Sequence, residues 1–209
     1  MISCGRSFLF TAMLALPAGF SAAAAPATLE TAPPFEAIRK IDAHSHLFEN
    51  HPAFTALFQR LNFRTINVCV NVGDLRLERM HEIAFELQRQ HPQLYPVVST
   101  FGLSRRAEPG YADDVMAWLG KTFQRGAVGV KIWKEIGLVA KRPDGSFHLP
   151  DDPLWDPIYA YIAREKKVLV AHLAEPLEAW LPLDPNSPHH DYFSRRQEYY
   201  FYGKPEYPS

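Results

Sequence analysis

His44 and His46 stand one residue apart at the end of the run IDAHSH. In an extended strand, side chains two positions apart share a face about 7 Å apart along the chain, so two imidazoles at this spacing can converge on one ion. Asp42 has the same parity, whereas Ile41 and Ala43 are expected to point the other way, into a helix layer. Two imidazoles and a carboxylate are a poor filling for a core, because each would need a buried partner; a metal ion supplies one. His172 repeats the arrangement at the end of VLVAH, where it shares a face with Val168 and Val170 and is the first polar residue after the apolar run. Lys131, in GVKIWK, lies on one face with Gly129 and Trp133, opposite Val128, Val130 and Ile132. Three readings of this lysine stand open: it holds an anionic substrate, is carboxylated and bridges two metals, or extends past the rim. The candidate metal ligands are therefore His44, His46 and His172, and the candidate substrate-binding residues are Lys131 and Trp133.

Other polar residues carry less. Lys134 and Glu135 lie beyond their strand and read as solvated; Glu175 either orients an imidazole, touches substrate or is a solvated loop carboxylate. His189 and His190 read as loop, His51 and His91 as turn residues before proline, and His81 as packing at the edge of a helix stripe. The aromatic run from Tyr199 to Tyr202 either covers the mouth of the site or packs a long loop.

The elements that must position these residues follow from periodicity. Short apolar or β-branched runs predict strands over 38–44, 65–72, 95–101, 128–133 and 168–172. Helical segments are predicted over 53–61, 75–90, 113–125 and 156–166; in the second, Leu77, Met80, Ala84 and Leu87 mark one face. Gly126 supplies the stop of the third helix and Pro157 sits in the first turn of the fourth. Strands alternating with helices predict parallel βαβ units and an α/β fold. No glycine-rich turn follows the first strand, against a nucleotide-binding doubly wound sheet. The polar residues gather at the C-terminal ends of strands, as in a (β/α)8 TIM barrel, of which about five βα units are present.

The composition excludes other classes. With 22 basic and 23 acidic residues the formal net charge is −1, which gives no electrostatic basis for nucleic acid or an anionic membrane as partner. The expected partner is a small-molecule substrate, and a homo-oligomer stays open. Residues 1–24, with Arg6 as their single charge, an apolar run too short to span a bilayer and a tail of small residues, read as a signal peptide. The protein is thus expected to be exported, to the periplasm or outside the cell, with no membrane attachment after cleavage. Residues 25–37 read as a flexible leader, and 38–209 as the N-terminal part of the barrel. Cys4 leaves with the signal, and Cys69 reads as a buried free thiol.

The segments IDAHSHLF, GAVGVKIWK and VLVAHLAEP resemble the amidohydrolase superfamily, in particular its amidohydrolase-related branch with aminocarboxymuconate-semialdehyde decarboxylase-like enzymes. The resemblance implies His44, His46 and His172 as ligands of a divalent metal, usually Zn2+, in a TIM-barrel metal-dependent hydrolase. A metal-activated water would then attack an ester, lactone or amide, or the metal would assist decarboxylation or hydration in the lyase branch. The superfamily pattern also needs a histidine after the sixth strand and an aspartate after the eighth, and neither has a counterpart here, so the catalytic base is unassigned. The sequence is accordingly expected to be a fragment, or an inactive truncated metal-binding protein. Alone it should bind metal weakly, dissolve poorly and turn over little, and a chain extended through the eighth strand should be active.

Overall fold

A right-handed crossover after every parallel strand, always moving in the same direction, places all helices on one face of the sheet and curls it. That is the arrangement found in the computed structural model, which describes residues 32–207 except 72, 73 and 75. Five parallel strands run in sequential order: β1 (Lys40–Ser45), β2 (Phe63–Val68), β3 (Val97–Ser99), β4 (Gly129–Ile132) and β5 (Val168–Ala171). A doubly wound sheet would reverse its strand order at a switch point; this one does not, and the fold is a partial (β/α)8 barrel of five units. The segment expected to be a signal peptide and most of the expected leader lie outside the described residues, among which no helix is long and apolar enough to cross a membrane.

The helices form close to where periodicity puts them. They are α1 (Pro52–Arg60), α2 (Leu77–Gln90), α3 (Tyr111–Gln124) and, after β4, α5 (Asp156–Arg164). His51 caps α1 by accepting a hydrogen bond from the Ala53 amide, and Pro157 lies in the first turn of α5. Gly126 ends the α3 segment at φ 98°, a conformation only glycine adopts without strain. Two elements were not anticipated: α4 (Glu135–Leu138), a kinked turn with Gly137 at φ 104°, and α6 (His190–Arg195). Both are too short for a periodic signal to stand out.

The main core lies between the sheet and α3 and α5, where Val130 and Ile132 pack on Leu119, Trp155 and Ile158. A second cluster joins Cys69, Val97, Met80, Ala84 and Phe85; Cys69 is buried and free, and burial pushes its thiol up to about 12. On the outer strands Ile41 and Val168 are 58% and 61% exposed. Ile41 therefore does not enter a helix layer as the alternation predicted.

His81, expected at a packing edge, is a core residue instead. It is 1% exposed, its Nδ1 bonds the Leu77 carbonyl at 2.7 Å, and its Nε2 accepts from Ser99 Oγ at 2.9 Å. Burial depresses its pKa, opposed by the Leu77 carbonyl and helped by Arg125. Because the folded pKa is below the ordinary value of about 6.5, the unfolded chain binds more protons at acid pH, and stability falls as pH drops through and below that value. Urea unfolding at pH 7.5 and 5.5 should show lower stability at pH 5.5, with a smaller difference in His81→Gln. An equal difference in the two proteins would remove His81 as a source of the acid sensitivity.

Candidate functional site

The C-terminal ends of β1, β4 and β5 carry the candidate residues. On β1 the pairing with β2 changes register: Lys40, Ile41 and Asp42 align with Phe63, Arg64 and Thr65, but Ser45 then aligns with Asn67. The extra β1 residue breaks the simple alternation. Asp42 does not join the histidines as its parity predicted; its carboxylate accepts hydrogen bonds from Ser45 Oγ and the His44 amide. These two hydrogen bonds, Ser45 first, hold its pKa below the usual carboxylate value against a smaller opposing effect of burial.

His44, within the irregularity, and His46, just after it, come together, with ring centroids 4.9 Å apart and planes at 82°. His46 Nδ1 lies 2.7 Å from the Val68 carbonyl. A carbonyl only accepts, so Nδ1 carries a proton, and the neutral ring has its lone pair on Nε2, the tautomer a metal-ligating histidine needs. His44 is held toward its neutral form by burial first, then by the positive charge of Lys131 and by His46 and His172.

Lys131 lies on β4, one residue before its end. It is 1% exposed and its ammonium has no hydrogen-bond partner among the described residues. Burial pushes its pKa down. Thr100 Oγ1, just after β3, donates to the Lys131 carbonyl at 2.8 Å and ties down the backbone there. The snorkelling alternative is therefore removed: this side chain does not reach past the rim.

His172 is turned differently from the sequence expectation. The Trp133 indole Nε1–H donates to its Nδ1 at 3.1 Å, and its Nε2 lies 3.0 Å from the Ala174 carbonyl. Burial and the charges of Lys131 and Lys134 keep the ring toward neutrality, with Glu175 opposing. With Nδ1 accepting and Nε2 donating, both in-plane positions are committed. Among the described residues, no three or more His, Cys, Asp or Glu side chains are gathered to hold a metal ion. The donor chemistry of His44 and His46 fits a divalent ion; that of His172, as it stands, does not.

Lys134 and Glu175, read as solvated or open, form a buried ion pair with side chains 9% and 7% exposed. Lys134 Nζ also sits 3.7 Å from the Tyr199 ring centroid and 4.9 Å from that of Trp133. Tyr199 packs, with Tyr200, against a cluster of Leu138, Ala179, Phe193 and Phe201, the packing of the loop that was one of the two readings of this aromatic run. Glu135, also expected to be solvated, accepts from Asn71 Nδ2 at 3.1 Å. Asp74 is a further residue that sequence reasoning missed. Its carboxylate accepts from the Leu103 and Ser104 amides at 3.0 and 2.8 Å, tying the loop after β2 to the loop after β3. A side chain at Gly102 would press within 2.8 Å of that carboxylate, so the clamp requires glycine there. The signal available in the sequence was slight, a lone glycine opposite a lone aspartate.

No family model matches this chain, and no curated protein matches it. Among solved structures, a crystal structure described as an amidohydrolase II aligns with 18% identity and a TM-score of 0.49. The alignment covers 78% of this chain and 57% of that one, so the chain spans little more than half the length of that protein.

Proposed function

We propose that this chain carries first-strand metal ligands of an amidohydrolase-type, metal-dependent hydrolase. Its substrate is a small ester, lactone or amide bearing a carboxylate. The observation that supports this most is the unpartnered ammonium of Lys131, buried within electrostatic reach of His44 and His172 at the C-terminal end of the sheet. A buried charge without a counter-charge is costly, and an anionic ligand removes that cost. His44 and His46 are the residues that hold the ion. When bound, a divalent ion supplies Lewis acidity toward a carbonyl and makes water more acidic. The Val68 carbonyl orients His46, Lys131 anchors the carboxylate of the substrate, and the Trp133 ring walls the β4 side. The carboxylate anchor serves a metal-dependent decarboxylase or hydratase equally well, and assays for CO2 against acid release separate the two chemistries.

The experiment uses Co2+ as a probe, read by visible absorption on the purified chain. His44→Ala and His46→Ala should each weaken binding at least tenfold, in line with the loss of a ligand exceeding the 10- to 100-fold cost of losing its outer-shell support. Co2+ affinity unchanged in both variants would overturn the metal reading.

A further inference from the structure

We propose that the concave face of the sheet binds a long-chain carboxylate, its head on Arg64 and its alkyl chain on the aliphatic side chains nearby. The strand register assigns the faces. Asn67 aligns with Val97, which clusters with Met80, Ala84 and Phe85 of α2, so Thr65 and Asn67 face the helices while Arg64 and Ile66 face the other way. Ile41 aligns with Arg64 and shares that face. On β4, Val130 packs on the helices, which leaves Gly129 and Lys131 on the concave face, where Val168 and Val170 align with them. All helices that follow the strands lie on the opposite face, and here Ile41 and Val168 stand exposed while Ile66 and Val170 are half-buried.

Arg64 is the group that asks for an anion. It is half-buried, its Nε is shut off from solvent without a hydrogen-bond partner, and it enters no ion pair among the described residues. The only acidic residue of the five strands, Asp42, aligns with Thr65 and therefore lies on the helix face. The strands thus present two cations and no anion on the concave face. By register Asn67 is level with Val97 and Val97 with Val128; Arg64 stands three residues before this level and Lys131 three beyond it, roughly 20 Å apart along the strands. The two cations therefore take separate anions, and the inference does not depend on the metal reading. This charge pattern selects the occupant. A second copy laid face to face would set cations against cations. A polypeptide segment would bring backbone N–H and C=O groups that aliphatic side chains cannot satisfy away from the two strand edges. An alkyl carboxylate brings one charge, for Arg64, and methylenes whose removal from water is favourable.

The test is calorimetric titration of the full chain with dodecanoate and with dodecanol, both below their aggregation limits. One dodecanoate should bind per chain, and more tightly than the alcohol by about tenfold or more. Arg64→Gln should weaken dodecanoate roughly 10- to 100-fold, the loss of one charged hydrogen bond, and leave dodecanol unchanged. Val168→Glu, at an exposed position, puts a charge where the alkyl chain lies and should weaken both ligands, which keeps the inference testable if Arg64→Gln does not fold. An alcohol bound as tightly as the acid, several equivalents taken up without saturation, or dodecanoate binding indifferent to the variants overturns the inference and leaves adsorption to exposed apolar surface. Binding lost in Lys131→Met but kept in Arg64→Gln would put the carboxylate on the substrate anchor and overturn it as well. So would a peptide of alternating valine and glutamate that displaces dodecanoate at lower concentration, since the occupant would then be a polypeptide strand.

Discussion

Replacing Glu175 by glutamine is expected to lower folding stability by about 3–5 kcal/mol, the cost of leaving one charge of a buried pair unpaired. Lys134 and Glu175 are almost wholly removed from solvent, so water cannot replace the lost partner. The aromatic rings of Tyr199 and Trp133 relieve part of the burden on the ammonium, through contacts each worth about 0.5–2 kcal/mol, but they provide no counter-charge. The pair as a whole need not add net stability, because desolvating both charges offsets most of their attraction. The double variant Lys134→Met, Glu175→Leu should therefore recover most of what either single variant loses. Urea unfolding of the three variants checks this; a single Glu175→Gln variant within about 0.5 kcal/mol of the parent would show that the pair is not coupled to folding.

Lys131→Met should do the opposite to stability. Methionine fills a similar volume and removes an amine that is buried without a hydrogen-bond partner, so the variant should gain about 1–3 kcal/mol. The same change removes the anchor for an anionic ligand. A charged hydrogen bond of about 1.5–3 kcal/mol corresponds to a loss of roughly 10- to 100-fold in affinity, measurable by calorimetry with a small dicarboxylate such as malonate. Higher stability together with weaker anion binding is the pattern of a residue kept for function at the expense of the fold. Lower stability would mean that the amine has a structural partner, and unchanged malonate binding would remove Lys131 from the site.

The strand and helix order, the parallel barrel architecture and the location of His44, Lys131 and His172 at strand ends were legible in the sequence. They rest on local rules: alternation of two, helical period, a glycine stop after α3 and a proline at the start of α5. Those rules hold within one element and say nothing about its neighbour. The register irregularity between Asp42 and Ser45 depends on how β1 meets β2, and it moved Asp42 out of the histidine set. His172 was correctly placed at the end of β5, but the direction of its lone pair is set by Trp133, 39 residues earlier in the chain. Lys134 and Glu175 lie 41 residues apart; alone, the first reads as solvated and the second stays open between orienting an imidazole, touching substrate and solvation, and neither points to the other. Likewise His81 on α2 found Ser99 on β3 only through the crossover between them, which buried a ring that helical periodicity had placed at an edge. Sequence determined which groups stand at the open end of the sheet, because strand polarity and chain order fix that. Tertiary structure alone decided which of their donors and acceptors are already taken, because hydrogen bonds between elements depend on the relative position of strands that no local pattern specifies.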